Sequence, residues 1–189
     1  PLKTVKWLYI EGYLSTSDRA RIAVKQAREL AKAHGVKIAL SLSDPAMVQY
    51  ARQGLEELLD DGVDLLFCNE QEALMFTNTE NLDDAIAALK LNNQHIVITQ
   101  GANGAVIIDP AQQFHVAGRH VDAVDTNGAG DAFAGAFLYA INAGLSLEAA
   151  AQLAILISSE VVAQFGPRLA VENYAKLFEQ FKSTQQECA

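Results

Sequence analysis

The chain has 189 residues, half of them hydrophobic, which suffices for one domain with a buried core. Its 23 acidic residues outnumber 14 basic ones for a net charge of −9. That balance argues against a nucleic-acid partner, whose backbone requires clustered Lys and Arg, and the lack of any apolar run of about 20 residues argues against a membrane span.

Val5 to Ile10 is rich in β-branched and aromatic residues and reads as a buried strand. Ser17 and Asp18 can cap a helix with an apolar face of Ile22, Ala23, Ala27, Leu30 and Ala31, ended by Gly35. Val36 to Leu42 is a second strand, and Pro45 begins a helical region reaching about Leu59. Asp64 to Cys68 is a short buried strand closed by Asn69, and a helix over Leu82 to Leu91 feeds a strand over His95 to Thr99. This alternation predicts parallel strands with helices on both faces.

After Thr99 the pattern changes. Gly101-Ala102-Asn103-Gly104, Ala105 to Asp109 and Phe114-His115-Val116 suggest antiparallel pairs at a sheet edge. A helix from Gly128 to Asn142 ends at Gly144, and helices over Leu147 to Gln164 and Val171 to Lys182 follow, leaving 183–189 as a loose tail. Trp7 and the Phe133/Phe137 pair read as core, and Arg168 as solvent-facing. Cys68 and Cys188 form neither a metal-ligand pattern nor a disulfide framework, which fits a reducing, cytoplasmic setting. The four histidines show no zinc spacing.

The chemistry concentrates at Asp125-Thr126-Asn127-Gly128-Ala129-Gly130-Asp131. Gly128, Ala129 and Gly130 carry almost no side chain, so their N–H groups can approach an anion at the start of a helix, where the dipole also favours negative charge. Asp131 among them is a candidate base, and the competing reading is a capped helix whose acidic first turn only complements the dipole. Asn69-Glu70-Gln71-Glu72 follows a buried strand, at the usual ligand edge of an open α/β sheet. Its competing reading is a capping box, with Asn69 as N-cap and Glu72 at N3.

Val124 to Phe133 closely resembles the second signature of the PfkB, or ribokinase-like, kinase family, and the chain resembles that family from near residue 5 to about residue 182. The resemblance implies a three-layer αβα sandwich with a mostly parallel sheet and an antiparallel edge. It also implies ATP-dependent phosphorylation of a small-molecule hydroxyl, with Asp131 as general base. Gly128, Ala129, Gly130 and the Asp131 N–H would form the anion hole.

By the same resemblance Asn69 and Glu72 match the family's NxxE motif and would organise Mg2+ through water, while Thr99, Gly101 and Gly104 match its TxGxxG segment beside the nucleotide. Asp125 and the Asn127 carbonyl would be candidates for a monovalent cation such as K+, with Gly166 near the family's second cation segment, although Ala170 stands where ribokinases often have Ser.

Asp125-Thr126-Asn127, Leu40 to Ser43 and Gln164 to Arg168 resemble adenosine and other nucleoside kinases, so the resemblance favours an adenosine-kinase-like member. The alternatives are a ribokinase- or fructokinase-like sugar kinase and a non-catalytic nucleotide-binding protein of the same fold. Pro1 to Lys6 reads as a cut end, so the expectation is the C-terminal portion of such a kinase (residues 1–182), lacking the lid strands, with a homodimer left open.

Overall fold

The computed structural model describes the backbone of residues 4–187 and the side chains of residues 4–183. Pro1 to Lys3 and Cys188 lie outside the described residues. The chain divides into two compact units, one running through Gln100 and including Val106–Phe114, the other comprising Gly101–Ala105 and the residues from His115 on.

Six strands form one sheet. Strands β1 (Trp7–Glu11), β2 (Lys37–Ser41), β3 (Leu65–Asn69), β4 (His95–Thr99), β5 (Gly104–Ile108) and β6 (Gln113–Ala117) lie in that order. β1 to β4 run parallel, with Trp7 opposite Lys37, Ala39 opposite Leu65 and Leu65 opposite His95. The centres of β2, β3 and β4 are buried, as expected of parallel strands covered on both faces. Helices α1 (Asp18–Ala33), α2 (Pro45–Tyr50), α3 (Arg52–Leu59), α4 (Glu70–Thr77) and α5 (Leu82–Leu89) form the crossovers. β5 and β6 are joined by four residues closed by the Asp109 N–H on the Gln112 carbonyl at 3.0 Å, a connection short enough only for antiparallel neighbours. Leu40, Leu42, Leu55, Leu66, Ile96 and Ile98 form the centre of this core.

Two expectations fail here. The inward face of α1 is Val24, Arg28 and Ala31, whereas Ile22 and Leu30 are 61% and 52% exposed and Ala23 is also exposed. Arg28, only 3% exposed, goes inside because its Nη2 donates to the Leu59 and Gly62 carbonyls at 3.0 Å and pairs with Asp61 at 3.3 Å. It thereby satisfies carbonyls left over at the end of α3. The helical region after Pro45 is not continuous either. Ala51 is non-helical (φ −127°, ψ 27°), which separates α2 from α3.

The second unit is helical: α6 (Ala129–Asn142), α7 (Leu147–Val162) and α8 (Val171–Glu187). Buried alanines at 134, 140, 150, 151 and 154 let α6 and α7 approach closely, and Phe133 stacks near Phe137 with centroids 6.2 Å apart. α8 packs through Leu177, Phe181 and Phe178, whose ring lies 4.6 Å from that of Tyr139. It continues to Glu187, beyond the expected end at Lys182. Trp7 is half-buried with Lys37 Nζ 5.4 Å from its ring, and Arg168 is exposed.

Candidate active site

In the first unit, polar residues gather at the carboxyl ends of the parallel strands. Asn69 ends β3 in register with Thr99 at the end of β4. The chain turns directly into α4, and the turn is a complete capping box: Asn69 Oδ1 accepts the Glu72 N–H at 2.7 Å, while Glu72 Oε2 accepts the Asn69 N–H at 3.0 Å. A third bond runs from Asn69 Nδ2 to Glu72 Oε1 at 2.7 Å. The local geometry of both residues is therefore that of a cap, and the box leaves an acceptor position on each Glu72 oxygen.

Capping does not account for the burial of Glu72, which is 4% exposed. Desolvation pushes its carboxyl up to about 7, the Asn69 backbone N–H opposes that rise, and the charge of Asp44 adds to it. Asp44 caps α2 through the Ala46 N–H at 2.7 Å. Sequence reasoning missed its proximity to Glu72, since nothing in the spacing of residues 44 and 72 announces it.

Also missed was the knot between β1 and β2. Ser43 has a left-handed backbone (φ 72°), its Oγ accepts the Gly12 N–H at 2.7 Å, and it donates to Glu11 Oε2 at 3.1 Å. Gly12 is required there, because a Cβ would lie 2.6 Å from the Leu42 carbonyl oxygen.

In the second unit, Gly101 and Gly104 both take left-handed backbones. At Gly104 a Cβ would collide with the Val116 carbonyl, so packing on β6 explains this glycine, whereas the space over Gly101 is open.

The start of α6 is different in kind. Gly128, at φ 75°, occupies the N-cap position and no side chain caps the helix. The Ala129 N–H turns back to the Thr126 carbonyl at 3.3 Å, and the Ala132 N–H closes the first turn on the Gly128 carbonyl at 2.9 Å. The N–H groups of Gly130 and Asp131 lie between them at the helix head, and a Cβ on Gly130 would meet nothing within 4 Å. This donor set suits a phosphate group. The Asp131 carboxylate lies exposed in the same turn.

Asp125 precedes this turn and is bonded through both oxygens. Oδ1 accepts the Asn127 N–H at 3.0 Å and Oδ2 the Gly166 N–H at 3.1 Å. Each Asp125 oxygen thus carries one N–H donor and keeps an acceptor position. Among the described residues no cluster of three or more His, Cys, Asp or Glu could hold a metal directly, and no helix is long and apolar enough to cross a membrane. Glu72, with an acceptor position free on each oxygen, fits Mg2+ that keeps its waters and is held mainly by phosphates.

Comparison with known proteins gives these elements a context. The model of the pfkB family of carbohydrate kinases matches residues 1–173. The crystal structure of adenosine kinase from Sinorhizobium meliloti is 35% identical and superposes with a TM-score of 0.89, over 95% of this chain and 55% of that one. Adenosine kinase from Schizophyllum commune is 30% identical over 87% of this chain and 52% of its own length. Ribokinase from Staphylococcus aureus is 33% identical over 64% of this chain and 39% of its own. The fold is thus the ribokinase-like α/β sandwich, and the chain spans about half the length of the adenosine kinases it matches.

Proposed function

The chain belongs to the pfkB carbohydrate kinase family, and from that premise we propose that the protein transfers the γ-phosphoryl group of ATP to a hydroxyl of a nucleoside resembling adenosine. The observation that carries this reading is the start of α6, where an uncapped helix head, open space over Gly130 and the Asp131 carboxylate occur within one turn. Asp131 takes the proton of the acceptor hydroxyl as it attacks. The N–H groups of Gly130 and Asp131, placed by the Gly128 turn and Ala129, stabilise charge on the transferring oxygens, which is where phosphoryl-transfer catalysis mainly arises.

Glu72, held by Asn69, would accept hydrogen bonds from water on Mg2+, and Thr99 and Gly101 would border the nucleotide. Gly104 serves this edge by letting the loop pack on β6.

The adenosine kinases among the relatives favour a nucleoside acceptor. The ribokinase match supports a second reading, a sugar kinase. A coupled assay of the native protein with Mg–ATP against adenosine, guanosine, ribose and fructose tests both. Preferred turnover of adenosine supports the first reading, preferred turnover of a sugar the second, and turnover of none removes the kinase assignment.

A further inference from the structure

The main-chain pairing of β3 with β4 ends at Asn69 opposite Thr99. Beyond that pair the two stretches part: Glu70 opens α4, and Gln100 leaves the sheet. A side-chain bond carries the pairing one residue further, since Gln100 Nε2 donates to Glu70 Oε2 at 2.9 Å. Both residues are half-buried and belong to the first unit. A carboxylate only accepts, so the amide nitrogen of Gln100 is the group that faces it, and the bond is charge-assisted.

This bond is surplus to the local needs of α4. Asn69 and Glu72 complete the cap between themselves, and an acidic residue in the first helical turn complements the dipole without a partner. From the side of β4 it matters more. Among the described residues from Thr99 to Gly104, Gln100 alone makes a side-chain hydrogen bond. The stretch expected to border the nucleotide is therefore anchored to the first residue of the helix whose third residue is Glu72.

We propose that Gln100 is a positioning residue that, through Glu70, locks the segment leaving β4 to the head of α4, so that nucleotide and hydrated Mg2+ bind as one unit and not as two independent ligands. A link between two neighbouring subsites lets each ligand profit from the order the other imposes, which is a coupling free energy between them. This proposal rests on reading the ends of β3 and β4 as part of the Mg–ATP site.

The test is calorimetry of ATP binding to the native protein, with saturating Mg2+ and with EDTA, for the wild type, Gln100→Leu, Gln100→Glu and the double substitution Gln100→Glu/Glu70→Gln. The double substitution exchanges donor and acceptor and keeps the net charge. In the wild type Mg2+ should strengthen nucleotide binding. In Gln100→Leu that gain should shrink roughly tenfold, as expected for loss of a charge-assisted hydrogen bond, with metal-free ATP binding nearly unchanged. Gln100→Glu sets two carboxylates against each other and should also lose the gain, and the double substitution should recover it. A merely structural role would instead lower the melting temperature and weaken both forms of the nucleotide alike.

A Gln100→Leu protein that keeps the wild-type gain from Mg2+ overturns the proposal. Where that variant does not fold, Gln100→Glu and the double substitution decide, and failure of the double substitution to recover the gain overturns the proposal. A wild type that binds ATP but gains nothing from Mg2+ overturns the coupling alone. A wild type that binds no ATP in either condition removes the nucleotide site and the proposal with it.

Discussion

Asn69 and Glu72 bind each other through three hydrogen bonds of 2.7 to 3.0 Å, in a setting so buried that the Glu72 carboxyl is raised from 4.5 to about 7. The folded chain therefore holds this proton more tightly than the unfolded chain does. The resulting stability is fully present below about pH 4.5 and is lost as pH rises through about 7, a change on the order of 3 kcal/mol. Glu72→Gln should remove this slope. Urea unfolding of both proteins from pH 4.5 to 8 checks it, and a constant difference between them across that range would contradict the buried titration.

The same carboxyl links pH to metal use. If Glu72 accepts from water on Mg2+, it does so best as carboxylate, so the Mg2+ concentration giving half-maximal rate should fall as pH rises from about 6 to about 8. In Glu72→Gln that requirement should be higher and independent of pH. An unchanged Mg2+ profile in the variant, with a lowered melting temperature, would reduce Glu72 to its cap.

Much of this was legible in the sequence because local rules and tertiary demands agree. β4 falls on His95–Thr99 as periodicity predicts, and the spacing of Asn69 and Glu72 announces a box that forms. α1 shows the limit. Counting apolar residues favours Ile22 and Leu30, yet helix phase is set by Arg28 reaching carbonyls near the end of α3, a partner 31 residues away that hydropathy cannot reveal. The contact of Gly128 with Pro167 was hidden similarly. A glycine in the expected anion hole already has an explanation, and its second reason, a proline 39 residues on, needs the folded chain.

Asp131 sits exposed in the first turn of α6. Asp131→Asn should leave Mg–ATP binding close to wild type while turnover falls by about 10²–10⁴, the usual cost of losing a general base. Steady-state kinetics beside nucleotide titration decide this. Near-normal turnover would leave the carboxylate as a partner of the helix dipole only.

The two glycines of the α6 head should respond in opposite ways to alanine. At Gly128 the methyl group meets Pro167 at 2.5 Å on a backbone of φ 75°, so Gly128→Ala combines a clash with a left-handed L-residue and should cost on the order of 2 kcal/mol or more. At Gly130 the methyl group meets nothing within 4 Å, and alanine is the better helix former by about 1 kcal/mol. Gly130→Ala should therefore match or exceed the wild-type melting temperature. If phosphate oxygens approach the Gly130 N–H, the same methyl group stands in their way, and Mg–ATP affinity should fall by roughly tenfold or more. Thermal unfolding and calorimetry on the pair separate folding from binding. A Gly130→Ala protein that is stable and binds Mg–ATP as tightly as wild type would show that the phosphates do not come to this helix.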